Sequence, residues 1–326
     1  MKTAFYALMG CASLLFFSCN KENDLIPENA GLKSDVAENV TALDLSIADA
    51  VNWMSFLPDS MSVDRLSIPG THDSGAQYEP VSGTAKTQDL SIADQLLAGV
   101  RFLDIRCRHY QDAFVIHHGS VYQHLNFDDV LNACKQFLQA HPSETIVMSV
   151  KEEYDAAENT LTFQEEFDQY VQQDPGVWYL ASGIPTLGAA RGKIVLFRRF
   201  SYPTAKGIDA SHNWGDKATF TIDNGTYTVQ VQDEYEVSDN NAKYSAITNL
   251  FQQALQNNAE QQQLFVNFTS GYQNILWVIP NIPNVSNVIN PKVADYFTNA
   301  QSGRYGIIPM DFITGDIAWK IIQTNF

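Results

Sequence analysis

Positive charge is scarce in this chain: 20 Lys and Arg stand against 37 Asp and Glu, a formal charge of −17 over 326 residues. No Lys/Arg run interrupts the acidic excess, so a polyanion meets repulsion and the charge argues against a nucleic-acid-binding surface. Cysteine is scarce as well. Of four cysteines, Cys11 and Cys19 fall in the N-terminal segment. Only Cys107 and Cys134 are left for the folded part, too few for a disulfide scaffold, and both read as core residues. No CxxC, Cys/His ligand spacing or helical HExxH occurs, so the sequence offers neither a metal site nor a cofactor motif, and the GxSxG elbow of serine hydrolases is missing too. The apolar run at the start is too short to span a bilayer comfortably.

That run, MKTAFYALMGCASLLFFSC, has one lysine, an apolar stretch and a small residue before Cys19, which is the layout of an export signal. The stretch FFSC resembles a bacterial lipobox, with Phe16 where that motif usually has leucine. Residues 1–18 are therefore read as a lipoprotein signal peptide and Cys19 as the lipidation site, with simple cleavage and secretion as the alternative. Residues 19–50 are polar without sustained periodicity and read as a flexible tether. Residues 51–326 form a single catalytic domain on this reading. The expected location is the bacterial cell envelope or surface, as a membrane-anchored lipoprotein.

A hydrophobic fraction of 45 % and an aromatic fraction of 12 % supply a large core. Eight short β-branched and aromatic runs recur, at 65–69, 100–106, 113–118, 145–151, 193–199, 227–233, 264–270 and 305–311. Helical stretches lie between several of them, at 126–142, 160–174, 241–258, 291–301 and 315–326. The clearest is NFDDVLNACKQFLQAHP, with Asn126 as N-cap and Pro142 as terminator. This alternation predicts an α/β fold, a distorted TIM-type (β/α)8 barrel. The distortion is expected because the link after Arg106 is too short for a helix and TFTIDNGTYTVQ reads as an Asn-Gly hairpin. An open α/β sheet is the rival architecture.

In such barrels the working groups sit at the C-terminal ends of the strands. Here those ends deliver His72 and Asp73, Asp104 and Arg106, His117 and His118, Lys151, Arg198 and Arg199, Asp233 with Tyr235, and Asp311. By strand alternation His117 faces away from His118, so one of the pair is expected to be structural, and His117 is the weaker site candidate. Two histidines in opposite protonation states provide a general base and a general acid, each steadied by a carboxylate, for which Asp73 and Asp311 are the candidates. The Arg106 fork suits a phosphate. With no serine or cysteine nucleophile in evidence, the attacking group belongs to the substrate: a phosphodiester with a neighbouring hydroxyl, as in RNA or phosphatidylinositol. The acidic charge disfavours RNA.

The segments IPGTHDSG, FLDIRCR, VIHHG, PSETIVMSVKEEY, GKIVLFRRF and VQDEY, with the run ending MDF, resemble bacterial phosphatidylinositol-specific phospholipase C in the same order over residues 50–326. The resemblance implies cleavage of phosphatidylinositol to diacylglycerol and inositol 1,2-cyclic phosphate. His72 would be the general base partnered by Asp311, and His118 the general acid supported by Asp73. Arg106 would bind phosphate, and Lys151, Arg199, Asp233 and Tyr235 would contact inositol, with Asp104 behind Arg106. Calcium-dependent relatives carry a metal ligand at the Arg106 position, so no metal or cofactor is expected. The best-known members carry a tryptophan on a short rim helix after the first histidine, where this chain has AQYEPVSGTAKTQ. Trp277, in GYQNILWVIPNIPNV, is a candidate membrane contact, and Trp214 aligns with an aromatic near the pocket. Pro69 and Gly70 are expected to turn the chain so that His72 and Asp73 serve different partners. The expected partners are an inositol phospholipid and a membrane surface, met by a monomer. The alternatives are another phosphodiester substrate (a glycerophosphodiester or a glycosyl-phosphatidylinositol anchor) or a non-catalytic lipid-binding lipoprotein.

Overall fold

The computed structural model describes residues 45–326. The signal peptide, Cys19 and most of the tether lie outside the described residues. Its strands are β1 (Ser67–Thr71), β2 (Phe102–His109), β3 (Phe114–His118), β4 (Val121–Asn126), β5 (Ile146–Glu152), β6 (Trp178–Tyr179), β7 (Ile194–Arg199), β8 (Ile208–Asp209), β9 (Ala218–Asp223), β10 (Tyr227–Asp233), β11 (Gln262–Asn267), β12 (Gln273–Ile275), β13 (Ile279–Asn281) and β14 (Gly306–Met310). The helices are α1 (Ile92–Leu97), α2 (Phe127–Ala140), α3 (Phe163–Gln173), α4 (Leu187–Ala190), α5 (Asn240–Gln256), α6 (Pro283–Thr298) and α7 (Gly315–Gln323).

The hydrogen-bonded order is β6-β7-β5-β2-β1-β14-β11-β10-β9, with β8 also on β7. Neighbours from β7 to β10 are parallel, whereas β9 is antiparallel to β10 through the expected Asn-Gly hairpin. The sheet curls without closing. Across the gap, the Asp209 amide donates to the Tyr227 hydroxyl at 2.8 Å and Asn224 Nδ2 donates to the Asp209 carbonyl at 3.0 Å. The structure is thus the distorted barrel that the imperfect alternation predicts.

The strand period of two places the site. On β2 the row Phe102, Asp104, Arg106 shares one face; on β5 it is Val147, Ser149, Lys151, and on β7 Val195, Phe197, Arg199. The register sets Arg106 beside Lys151 and Lys151 beside Arg199. On β10 the row is Val229, Val231, Asp233, and β14 leads through Ile307 to Asp311 just past its end. The apolar members of these rows pack in one buried cluster with Ile68, Leu264 and Val266. The intervening residues Leu103, Ile105, Met148, Val150 and Leu196 pack outward with α2, α3 and α6. Each inward row therefore begins in the apolar core and ends in a charged group at the rim, with Asp104 and Ser149 as buried polar residues between the two on β2 and β5.

Four expectations change. The first described helix, a 3-10 helix at Ile47–Phe56, begins inside the segment read as tether and buries Ala50, Trp53 and Met54, so residues 47–50 belong to the folded domain. The run 113–118 is not a parallel barrel strand: β2 continues past the rim to His109, and β3 returns antiparallel to it, pairing Cys107 with Ile116. The helix read from 291 starts at Pro283, because Pro291 sits inside it rather than at its first turn. Finally, Pro69 and Gly70 lie within β1, paired with Ile308 and Pro309. Gly70 serves close packing, since a Cβ there would meet Phe102 at 3.0 Å. Cys107 and Cys134 are free, buried and in the same apolar cluster, as read.

Candidate active site

His72 follows β1, and its amide still donates to the Met310 carbonyl at 3.0 Å, so the ring is fixed beside the end of β14. The turn comes one residue later: Asp73 has φ of 42°, a left-handed conformation that an aspartate tolerates. Consecutive side chains then diverge. His72 Nδ1 lies 2.7 Å from Asp311 Oδ1, and Arg106 Nη2 lies 2.8 Å from His72 Nε2. A guanidinium only donates, so Nε2 accepts, Nδ1 carries the proton, and the ring is neutral with its proton directed at Asp311. Burial alone would lower the His72 pKa, but the charge and hydrogen bond of Asp311 override it and the net shift is upward.

His118 is delivered by β3, whose fold-back returns it to the rim, where its ring centroid is 6.4 Å from that of His72. The expected Asp73 bond to His118 is not made. Asp73 Oδ2 is 3.8 Å from His118 Nδ1, which instead bonds the Ala85 carbonyl at 2.6 Å. Asp73 is buried without a hydrogen-bond partner for either carboxylate oxygen, because it sits under the rim between His118 and Arg106, near both and in contact with neither. Burial raises its pKa, with His118 and Arg106 pulling the other way.

Arg106 is the hub. Its Nε donates to Asp104 Oδ2 at 3.1 Å, and Glu153 Oε1 lies 3.8 Å from Nη1. Burial opposes its charge, but Asp104, Glu153 and Asp73 outweigh it and hold the guanidinium protonated. Asp104 lies beneath, fully buried, taking a bond from Ser149 Oγ at 2.9 Å with Arg199 Nη1 3.6 Å away. Despite burial, Arg106 and Arg199 keep its carboxyl far below the usual range. Lys151 pairs with Glu153 at 2.7 Å; burial, then Arg106, lowers its pKa, while Glu153, although half-buried, is held at about 2 by Arg106 and Lys151.

Opposite, the Arg199 guanidinium lies 3.5 Å over the Trp214 ring, whose Nε1 donates to Asp233 Oδ2 at 3.0 Å. Tyr235 donates to Asp216 Oδ1 at 2.5 Å, and burial followed by Asp216 raises its pKa. A cleft of about 620 Å³ is lined by His72, Arg106, His118, Lys151, Arg199, Asp233, Tyr235 and Asp311, with Glu153 and Trp214 among their neighbours. Asp73 and Asp104 lie below its surface. His117 is buried, stacked on Tyr154 and turned away from the cleft, as alternation requires. Sequence reasoning missed Glu153, although it continues the odd-numbered row of Ser149 and Lys151. It also missed the Ala85 carbonyl, which no side chain announces. Among the described residues no group of three His, Cys, Asp or Glu converges as a metal-binding set.

A distorted barrel whose strand ends bring two imidazoles, a guanidinium and their carboxylates to one cleft defines a class, the phosphodiesterases that cleave by acid–base catalysis. Residues 67–200 match the family described as phosphatidylinositol-specific phospholipase C, X domain. The chain is 37 % identical over 295 residues to the 1-phosphatidylinositol phosphodiesterase of Staphylococcus aureus strain Newman, covering 84 % of this chain and 94 % of that one. The enzyme of the same name from Listeria monocytogenes is 29 % identical, with 84 % of each chain covered. A solved structure of S. aureus phosphatidylinositol-specific phospholipase C superposes with a TM-score of 0.79 at 35 % identity, over 86 % of this chain and 100 % of that one. The L. monocytogenes structure gives a TM-score of 0.69 at 25 % identity, over 85 % and 99 %. The chain belongs to the phosphatidylinositol-specific phospholipase C family.

Proposed function

We propose that the protein cleaves phosphatidylinositol to diacylglycerol and inositol 1,2-cyclic phosphate without a metal ion. The observation that carries this is the seat of His72 between Asp311 and Arg106, because it leaves Nε2 as a proton acceptor beside a phosphate-binding cation. The inositol 2-hydroxyl gives its proton to His72 Nε2, and its oxygen forms a bond to phosphorus. The bond from phosphorus to the diacylglycerol oxygen breaks, and that oxygen takes the proton of His118 Nε2. Asp311 stabilises the imidazolium that forms at His72, and Arg106, backed by Asp104, carries the charge gathering on the phosphoryl oxygens. Lys151, Arg199, Asp233 and Tyr235 line the same cleft and receive the inositol hydroxyls. The metal-free reading rests on Arg106: Asp73, Asp104 and Glu153 all lie within 3.8 Å of its guanidinium, so a cation would compete with a fixed positive charge.

The β12–β13 hairpin supports a membrane-facing mouth. Leu276, Trp277 and Val278 are 76 %, 94 % and 77 % exposed, and the flanking Val278, Pro280 and Ile282 line the cleft. An apolar tip beside the mouth suits a lipid surface. We read the protein as an exported monomer tethered through a lipid at Cys19, with residues 1–18 removed.

The test is release of cyclic inositol phosphate from phosphatidylinositol vesicles, followed by phosphorus NMR with and without EDTA. His72→Ala and His118→Ala are expected to lose about 10²-fold or more, the ordinary worth of a general acid or base. A near wild-type rate in either variant, or abolition by EDTA, refutes the mechanism.

A further inference from the structure

The stretch between β1 and α1 crosses the mouth of the site without regular secondary structure, and one carboxylate organises it. Glu79 Oε2 accepts the amides of Gly83 at 2.9 Å, Lys86 at 3.2 Å and Ala85 at 3.5 Å. Thr84 closes the turn by donating its amide to the Val81 carbonyl at 3.2 Å and its hydroxyl to the same oxygen at 2.7 Å. Gly83 has φ of +82°, and a Cβ there would meet Asn281 Nδ2 at 2.6 Å. Its carbonyl takes the Ile282 amide at 2.9 Å. The turn is thereby pinned from inside by Glu79 and from outside by the β12–β13 hairpin.

This pinned turn aims the Ala85 carbonyl at His118. A carbonyl only accepts, so His118 Nδ1 holds its hydrogen and Nε2 becomes the nitrogen that exchanges a proton with substrate. Asp73, at 3.8 Å from Nδ1, is too far to share that task by hydrogen bonding.

We propose that Glu79 is a positioning residue for the general acid: its carboxylate fixes the turn that presents the Ala85 carbonyl to His118 Nδ1, and so sets the tautomer and orientation in which His118 Nε2 protonates the leaving oxygen. The inference rests on the acid role of His118 proposed above. Burial works against the Glu79 charge, but the amides of Gly83, Lys86 and Ala85 hold its pKa below the ordinary range, which keeps the carboxylate available as their acceptor.

Two soluble inositol phosphodiesters test this, one with an alkyl alcohol leaving group and one with 4-nitrophenol, which departs without a proton. For Glu79→Ala the expected loss is about 10-fold on the alkyl ester, the scale found for residues that orient a working histidine, and less than about 2-fold on the aryl ester. Glu79→Gln, which keeps an acceptor oxygen and the side-chain shape, is expected to recover most of the alkyl-ester rate and guards against a simple folding defect. Equal losses on both esters, or no loss on either, overturn the proposal. His118→Ala run in parallel separates the two layers: if it too shows no dependence on the leaving group, the acid assignment has failed and the role of Glu79 falls with it; if it shows the dependence and Glu79→Ala does not, only the role of Glu79 is refuted.

Discussion

Replacing Asp311 by asparagine removes a charge while keeping the size of a side chain that is 1 % exposed. In the proposed mechanism His72 is neutral before the reaction, and in the transition state it carries the proton taken from the substrate. The energy at stake is therefore the attraction between Asp311 and an imidazolium that exists only as the reaction proceeds. At about 4 Å between charge centres and an effective dielectric of about 20, Coulomb's law gives roughly 4 kcal/mol. Allowing about 1 kcal/mol for the hydrogen bond asparagine can still accept leaves about 3 kcal/mol, or a loss of roughly 10²-fold in turnover. The pH profile carries the second reading. The neutral ring is the active base, so activity rises with pH through the His72 pKa, which Asp311 holds above the ordinary 6.5. With Asp311 neutralised, burial and Arg106 outweigh the smaller upward pull of Asp104, and the acid limb of kcat/KM should move to lower pH. Linkage has a matching sign: a raised pKa lends stability below 6.5 that fades as pH rises through the folded value, so the stability gap between wild type and variant should narrow toward alkaline pH. A loss under about 3-fold, or an acid limb that stays in place, refutes the assignment of Asp311 to His72.

Arg106→Lys replaces a fork with a point charge and loses the geometry that meets His72 and Asp104 together, so kcat/KM should fall by about 10²-fold while EDTA leaves the wild type unaffected. Arg101→Ala strands Glu144, its fully buried partner at 2.9 Å, and should cost about 3–5 kcal/mol in urea unfolding while the turnover of folded molecules is retained. Trp277→Ala removes a ring that is 94 % exposed at the hairpin tip. Burying about half of a tryptophan's area is worth roughly 2 kcal/mol, so sedimentation with phosphatidylinositol vesicles should show binding weakened by about 30-fold, with hydrolysis of a soluble ester unchanged.

The site was legible where it follows strand periodicity. Once VRFLDIR, TIVMSVK and KIVLFRR are strands, Arg106, Lys151 and Arg199 must share a face with the apolar residues four positions back, Phe102, Val147 and Val195, and register brings them level. His72 and Asp311 were legible for the same reason, as the ends of adjacent strands. What could not be read depends on backbone direction. The chain returns antiparallel after His109, so His118 enters the rim from a hairpin, and nothing in AFVIHH distinguishes that from a parallel strand. The divergence of His72 and Asp73 comes from one left-handed residue rather than from Pro69 and Gly70, which look more like turn formers. The true partner of His118 Nδ1 is a peptide carbonyl, and every residue type carries one.

An acidic protein that receives an anionic lipid raises a question of charge, and the answer lies at Arg106. Long-range steering is unfavourable at −17, so attraction to phosphate must be local. Locally, Asp73, Asp104 and Glu153 already lie within 3.8 Å of the guanidinium. A phosphodiester monoanion entering the cleft therefore meets a cation already partly neutralised by Asp104 at 3.1 Å, so its ground-state binding is expected to be weaker than at an unpaired arginine. In the proposed mechanism, as the 2-oxygen adds to phosphorus, charge accumulates on the phosphoryl oxygens while His72 becomes positive and stops accepting from Arg106. The guanidinium Nη2 that bonded His72 Nε2 is then released toward the phosphoryl group as its charge grows. On that mechanism the carboxylates around Arg106 disfavour binding of the substrate more than binding of the transition state, and it is the difference between the two that raises the rate.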